Sequence, residues 1–226
     1  LTLTHNATSL ILPSGANIIT AVGDVAEFVE VSAGNFKCVN YERADGTGLV
    51  SAAGGAWTLL STVTATDSAT VDIDTTFDST YDDYIIIGTD IAPSSNQGDM
   101  IMLYKIGGEY KSTSTYYRAG SFVQSDATTV SSLYYQSDAS ALVSLRSPEN
   151  DAVNSLNFTM KINNPTSVSN RHITRLTVEQ YTQPTTRIGE IVNINTTTGA
   201  LTGIRFSIKS TTIASGTFKL YGIAKS

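Results

Sequence analysis

The chain has 226 residues with a formal net charge of −6, from 20 Asp and Glu against 14 Lys and Arg. That acidic balance, with no cluster of basic residues to overturn it locally, argues against binding a nucleic acid phosphate backbone. No run approaches the roughly 20 apolar residues of a membrane-crossing helix, so membrane insertion is not expected, and a single cysteine, Cys38, excludes an intrachain disulfide.

Threonine and serine are abundant, and apolar residues nowhere recur at the i, i+3, i+4 spacing of an amphipathic helix. The fold class expected is all-β: a small N-terminal β module followed by an antiparallel, jelly-roll-like β-sandwich. Residues 1–43 read as short strands at 1–4, 9–12, 17–20, 25–31 and 35–41. Turn chemistry separates them at Asn6, at Pro13 to Gly15, at Gly23-Asp24 and at Gly34-Asn35. So thin a sheet needs a second apolar layer from elsewhere.

Residues 44–56 are rich in Gly and Ala without any strand pattern, and the spacing predicts a linker there. From Trp57 to the end a sandwich is expected, with strands at 57–65, 69–74, 83–91, 98–106, 115–124, 129–136, 141–146, 153–163, 171–181, 188–195, 201–210 and 216–224. The run Tyr84, Ile85, Ile86, Ile87 is apolar on both faces, as in a central strand between layers. Phe158, Met160 and Ile162 alternate onto one face, as do Ile204, Phe206 and Ile208. The last strand sets Phe218 and Leu220 opposite Lys219 and Tyr221, so the chain is expected to end inside the sheet.

The opening segment, LTLTHNATSLILPSGANIITAVGDVAEFVEVSAGNFKCVNYERADGT, closely resembles a module of tailed-bacteriophage fibre and tail proteins. Leu1 to Asn6, Leu12 to Gly15, Gly23-Asp24 and Cys38 to Tyr41 carry the match, with Phe36 where the module has tryptophan. More loosely, WTLLSTVTATDSATVDIDTTFDSTYDDYIIIGTDIAP and the closing SGTFKLYGIAKS resemble a second phage module. The resemblance implies a structural virion protein, assembled in the host cytoplasm and carried on the extracellular particle. It implies a homotrimer that docks on other virion proteins of the tail, baseplate or capsid. Residues 1–12 would then continue a strand-rich region upstream, and Leu1, Leu3, Leu10, Ile11 and Leu12 would face neighbouring protomers or the virion.

Catalytic chemistry has few candidates. His5 and His172 are the only histidines, and neither stands in a nucleophilic motif, while one cysteine and two distant histidines cannot make a conventional zinc set. No catalytic residue, metal or cofactor is expected. Asp72 with Asp74 and Asp82 with Asp83 are the pairs that could serve as glycosidase carboxylates, but no such activity is expected of them, and the oxygen-rich loops 93–99 and 146–151 lack the spacing of an EF-hand and read as solvated loops. The best local candidates are the adjacent pairs Tyr116-Tyr117 and Tyr134-Tyr135. Tyrosine rings suit sandwich packing, a protomer or virion interface, or stacking on sugar. On a strand one ring of each pair turns to each face. The expected role is a fibre contributing to adhesion at host-surface glycan, the alternative a capsid decoration or head-fibre protein that binds the shell without a receptor.

Overall fold

In the computed structural model, which describes residues 1–46, 57–74, 77–96, 98–150 and 155–223, the chain divides into two units, Leu1–Gly54 and Gly55–Ser226. Apart from the 3-10 turn Pro13–Gly15, every regular element among the described residues is a strand. Most of the expected linker at 44–56 lies outside the described residues.

The N-terminal unit contains β1 (Thr2–Leu3), β2 (Leu10–Ile11), β3 (Ile18–Ile19), β4 (Val25–Ser32) and β5 (Asn35–Glu42). β1 pairs antiparallel with β3, and β2 adds in parallel to the β4–β5 hairpin in the order β2-β5-β4. Asn6, Asn17 and His5 hold this framework. Asn6 Oδ1 accepts the backbone N–H groups of Thr8 and Ser9, each at 2.9 Å, closing the first turn. Asn17 Oδ1 accepts the N–H of His5 at 2.8 Å, and His5 Nδ1 accepts that of Leu12 at 3.2 Å.

That wrapping turns Leu12 inward, into a small core with Ile18 and Cys38. Leu12 is therefore not the protomer contact expected of it. Leu3 and Leu10 are half-buried against the same core, Ile11 is half-buried, and Leu1 alone of the five is well exposed. Burial also pushes the Cys38 thiol up, away from the reactive thiolate.

Asp24 ties both ends of the hairpin together. Its carboxylate accepts the N–H of Ala21 at 2.8 Å, the N–H of Ala44 at 3.0 Å and the Tyr41 hydroxyl at 2.7 Å. Gly23 precedes it at φ +91°, a conformation the tight entry requires and most residues resist. The two backbone donors, then the hydroxyl, hold the Asp24 carboxyl well below the usual carboxylate range, at about 2. A folded value below the unfolded one means the contribution is complete above the ordinary carboxylate range and is lost as pH falls through about 2. In an NMR pH titration the Ala21 and Ala44 amides are expected to move together near that value; movement in the ordinary carboxylate range would show that the clamp does not form.

The second unit contains β6 (Trp57–Ser68), β7 (Val71–Ile73), β8 (Asp83–Pro93), β9 (Met100–Ile106), β10 (Glu109–Tyr110), β11 (Tyr116–Gln124) and β12 (Ser131–Asp138). It continues with β13 (Ala141–Leu142), β14 (Ser155–Asn163), β15 (Arg171–Thr182), β16 (Thr185–Thr198), β17 (Leu201–Ile208) and β18 (Ile213–Ile223). An eight-stranded sheet runs β12-β11-β16-β15-β14-β8-β18-β6, and a five-stranded sheet runs β10-β9-β17-β7 with β13 on β9; every pairing is antiparallel. Their inner faces enclose one apolar layer, an all-β sandwich. Phe206 of the smaller sheet lies 5.5 Å from Phe158 and 5.2 Å from Phe218 of the larger, ring centre to ring centre.

The alternation in the strands places the core as expected. Phe158, Met160 and Ile162 of β14, Ile204, Phe206 and Ile208 of β17, and Phe218 and Leu220 of β18 are all buried. Gly88 of β8 is where Phe158 comes closest: a Cβ there would stand 2.3 Å from the Phe158 ring. The expected strand at 141–146 differs, since only Ala141 and Leu142 join a ladder. Two buried amide side chains hold the segment over β15 and β16. Asn193 accepts the N–H of Leu142 at 3.1 Å and donates to its carbonyl at 2.9 Å. Gln180 accepts the N–H groups of Leu145 and Arg146, both at 3.1 Å, and donates to the Arg146 carbonyl at 2.9 Å.

Replacing Asn193 with Ala would orphan a buried donor and a buried acceptor of Leu142, at about 1–3 kcal/mol for each. Asn193→Ala is expected to lower the urea midpoint accordingly. An unchanged midpoint would mean that apolar contacts and the pairing with β9 hold the segment without the Asn193 amide.

Candidate functional site

The strand β11 reads YYRAGSFVQ, and burial alternates along it from Tyr116 inward to Tyr117 outward. Tyr116 is 1% exposed; its hydroxyl donates to the Lys111 carbonyl at 2.8 Å and accepts the Tyr104 N–H at 2.8 Å. Its ring meets that of Tyr104 edge to face, 5.4 Å between centres, and burial pushes its phenol up to about 12. Tyr116 is thus a core residue, which corrects the surface role expected of it.

Tyr117 and Tyr134 come together on the outer face, while Tyr135, opposite Arg118, is exposed on the other face and does not join them. Cross-strand pairs share a sheet face. Tyr134 of β12 lies opposite Ala119 of β11, Ala119 opposite Val192 of β16, and Tyr117 opposite Ile194. Ala119 is small, and between two tyrosines it leaves a slot of about 200 Å³ with Val192 and Ile194 beside it. On the other face of the same two strands, Arg118 pairs with Asp138 at 3.0 Å, and its guanidinium lies 4.8 Å from the centre of the Tyr135 ring. Tyr134 is 69% exposed, so its ring face is open to a ligand. An apolar floor with aromatic walls and few polar tips can hold a flat ring with one apolar face. Adjacent tyrosines announce such a site in the sequence; the decisive small residue, Ala119, carries no signal of its own.

The other chemical candidates are engaged elsewhere. Asp72 makes a bidentate pair with Arg205, at 2.7 and 2.6 Å, and Asp74 pairs with Lys105 at 3.0 Å. Arg205 also lies 4.0 Å from the centre of the Tyr110 ring. Asp83 pairs with Lys161 at 3.0 Å. The two oxygen-rich loops meet each other: Ser147 donates to Asp99 at 3.0 Å, and Asn150 donates to Asn96 and, at 3.3 Å, to the Ser94 carbonyl. Asp151, the end of the second loop, lies outside the described residues. His172 is buried with Nε2 against the Gly199 carbonyl at 2.5 Å. Among the described residues no three His, Cys, Asp or Glu side chains gather as a metal site would require.

No family model, curated protein or solved structure matches this chain.

Within the pair Tyr116-Tyr117 the two hydroxyls carry opposite weight. Tyr116→Phe leaves the Tyr104 N–H and Lys111 carbonyl without that partner and is expected to cost about 1–3 kcal/mol in urea denaturation. Tyr117→Phe is expected to fall within about 0.5 kcal/mol of the parent, as surface changes do. Equal effects would contradict the inward and outward assignment.

Proposed function

We propose that the protein is a structural virion component of a tailed bacteriophage, a trimeric fibre whose sandwich unit contacts glycan on the host surface. The observation that carries this reading is the β4–β5 hairpin of the N-terminal unit. All eight residues of the edge strand β4 are exposed. Val29 and Val39, on the face turned away from Cys38, are 47% and 52% exposed, and Phe28 and Phe36 stand open as well. An edge strand this apolar is normally covered.

Copies of the same hairpin around a threefold axis supply that cover, in line with the phage module that residues 1–48 resemble. The slot at Tyr117 and Tyr134 supplies the adhesive part, and three such slots on one particle component convert weak single contacts into firm attachment. The hairpin also suits a second reading, a decoration protein whose valine face binds the capsid shell without any receptor.

Analytical ultracentrifugation with a cell-binding assay separates the two. The full chain is expected to sediment at three times its 24.0 kDa mass and to bind host-type bacteria. Val29→Glu, which sets a carboxylate opposite Lys37 on an exposed strand position, is expected to give a folded monomer that binds cells more weakly. A wild-type monomer that ignores cells would overturn the fibre reading in favour of the decoration protein.

A further inference from the structure

The tyrosine slot occupies one end of a broad sheet face, and the residues beyond it continue its chemistry. On the same face Val192 of β16 lies opposite Arg175 of β15, and Glu190 lies opposite Thr177. Arg175 and Glu190 have no ion-pair partner among the described residues. Next to them Thr177, Glu179, Asn157 and Thr159 line a second, smaller depression of about 100 Å³ over β15, β14 and β8. Asn157 Oδ1 accepts the N–H of Asp90 at 2.8 Å, which fixes its amide and leaves the NH₂ group to donate.

From β11 at the slot to β14 at the depression there are three strand spacings, or about 14 Å. That distance exceeds a single sugar ring and fits a short oligosaccharide lying across the strands. We propose that the outer face of the eight-stranded sheet is a glycan platform with two subsites, an aromatic one at Tyr117 and Tyr134 and a hydrogen-bonding one at Asn157, Thr159, Thr177 and Glu179. Arg175 and Glu190 bridge the two. This inference rests on the reading of the tyrosine slot as a sugar contact.

Charge selects the ligand class. Between and beside the subsites stand two carboxylates, Glu179 and Glu190, and two cations with no ion pair among the described residues, Arg175 and Lys219, the latter opposite Ile87 at the rim of the depression; the next cation along the Arg175 row, Lys161, is held by Asp83. The charges on such a track balance and the chain as a whole carries −6, so uronic or sialic acids gain no net attraction there. Neutral hexoses instead find a donor and an acceptor side by side for vicinal hydroxyls, so the platform takes neutral oligosaccharide.

The test is titration of the full chain with neutral hexose trisaccharides, the corresponding monosaccharides, and uronic-acid-bearing trisaccharides of the same size. The parent is expected to bind neutral trisaccharide more tightly than monosaccharide or acidic trisaccharide. Tyr134→Ala is expected to weaken monosaccharide and trisaccharide alike by about tenfold. Thr177→Val, an exposed change to a residue that strands favour, is expected to weaken the trisaccharide roughly fivefold, the weight of one net hydrogen bond, and leave the monosaccharide unchanged. Loss with Tyr134→Ala but none with Thr177→Val would overturn the second subsite and leave the slot standing. A preference for the acidic sugars would overturn the neutral ligand class. No binding to any of these sugars by the parent would overturn the platform together with the sugar reading of the slot.

Discussion

The sandwich is governed by a mismatch of width: eight strands on one side face five on the other, and a sheet face left without a second layer loses the burial that stabilises it. The smaller sheet and the segment Ala141–Leu145 cover the middle of the larger one, where Leu176, Val178 and Ile191 are fully buried. Beyond them, on β11 and β12, the inward side chains Arg118, Phe122 and Leu133 are only half-covered. While Ala141 and Leu142 pair with β9 of the smaller sheet, Asn193 and Gln180 extend the cover by fastening 141–146 to the larger one through side-chain amides. Each satisfies both a donor and an acceptor of the backbone it holds, which is what makes a buried amide tolerable at the centre of an apolar layer.

The same mismatch explains where the candidate site lies. Tyr116, the first residue of β11, is the one residue of that strand to be fully buried, and its hydroxyl pins the turn before the strand by bonding Lys111 and Tyr104. One residue later the chain faces the opposite side of the sheet, so Tyr117 emerges beside Ala119 and Tyr134. A rigid core tyrosine therefore sets the position of a surface one. The Arg118–Asp138 pair, joining the two strands at the uncovered margin, holds Tyr135 in turn. Being partly exposed, that pair contributes geometry more than stability.

Much of this was legible in strand alternation, because a core needs apolar residues at every second position wherever one face is buried. Phe158 to Ile162 and Ile204 to Ile208 show it without interruption. The tyrosine pairs were legible only by half. Alternation requires that one ring of each pair face inward, but which one depends on the layer that covers the strand, and that layer is brought from β9 and from residues 141–146. The strand expected at 141–146 is cut short for a related reason: after Ala141 and Leu142 the ladder with β9 ends, and the backbone of Leu142, Leu145 and Arg146 is held by the amides of Asn193 and Gln180, which local pattern reads as ordinary polar strand positions. Leu12 was misplaced because its inward turn depends on His5 and Asn17, several residues away on either side.

The two units differ in how far their own residues can complete them. The sandwich encloses large side chains from both sheets, including Tyr84, Phe206 and Phe218 at zero exposure. Among its described residues the N-terminal unit has only Leu12, Ile18 and Cys38 buried, and it relies on polar devices, of which the Asp24 clamp is the most elaborate. Such hydrogen bonds fix the shape of a hairpin well but contribute little net free energy when solvent can compete for the same groups. Shape held by polar contacts, with valines and phenylalanines left facing out, is the arrangement an assembly interface needs: the surface is formed before the partner arrives, and the apolar burial comes with association. In that division the small unit supplies a preformed edge, and the sandwich supplies a rigid face whose tyrosines need no partner to be in place.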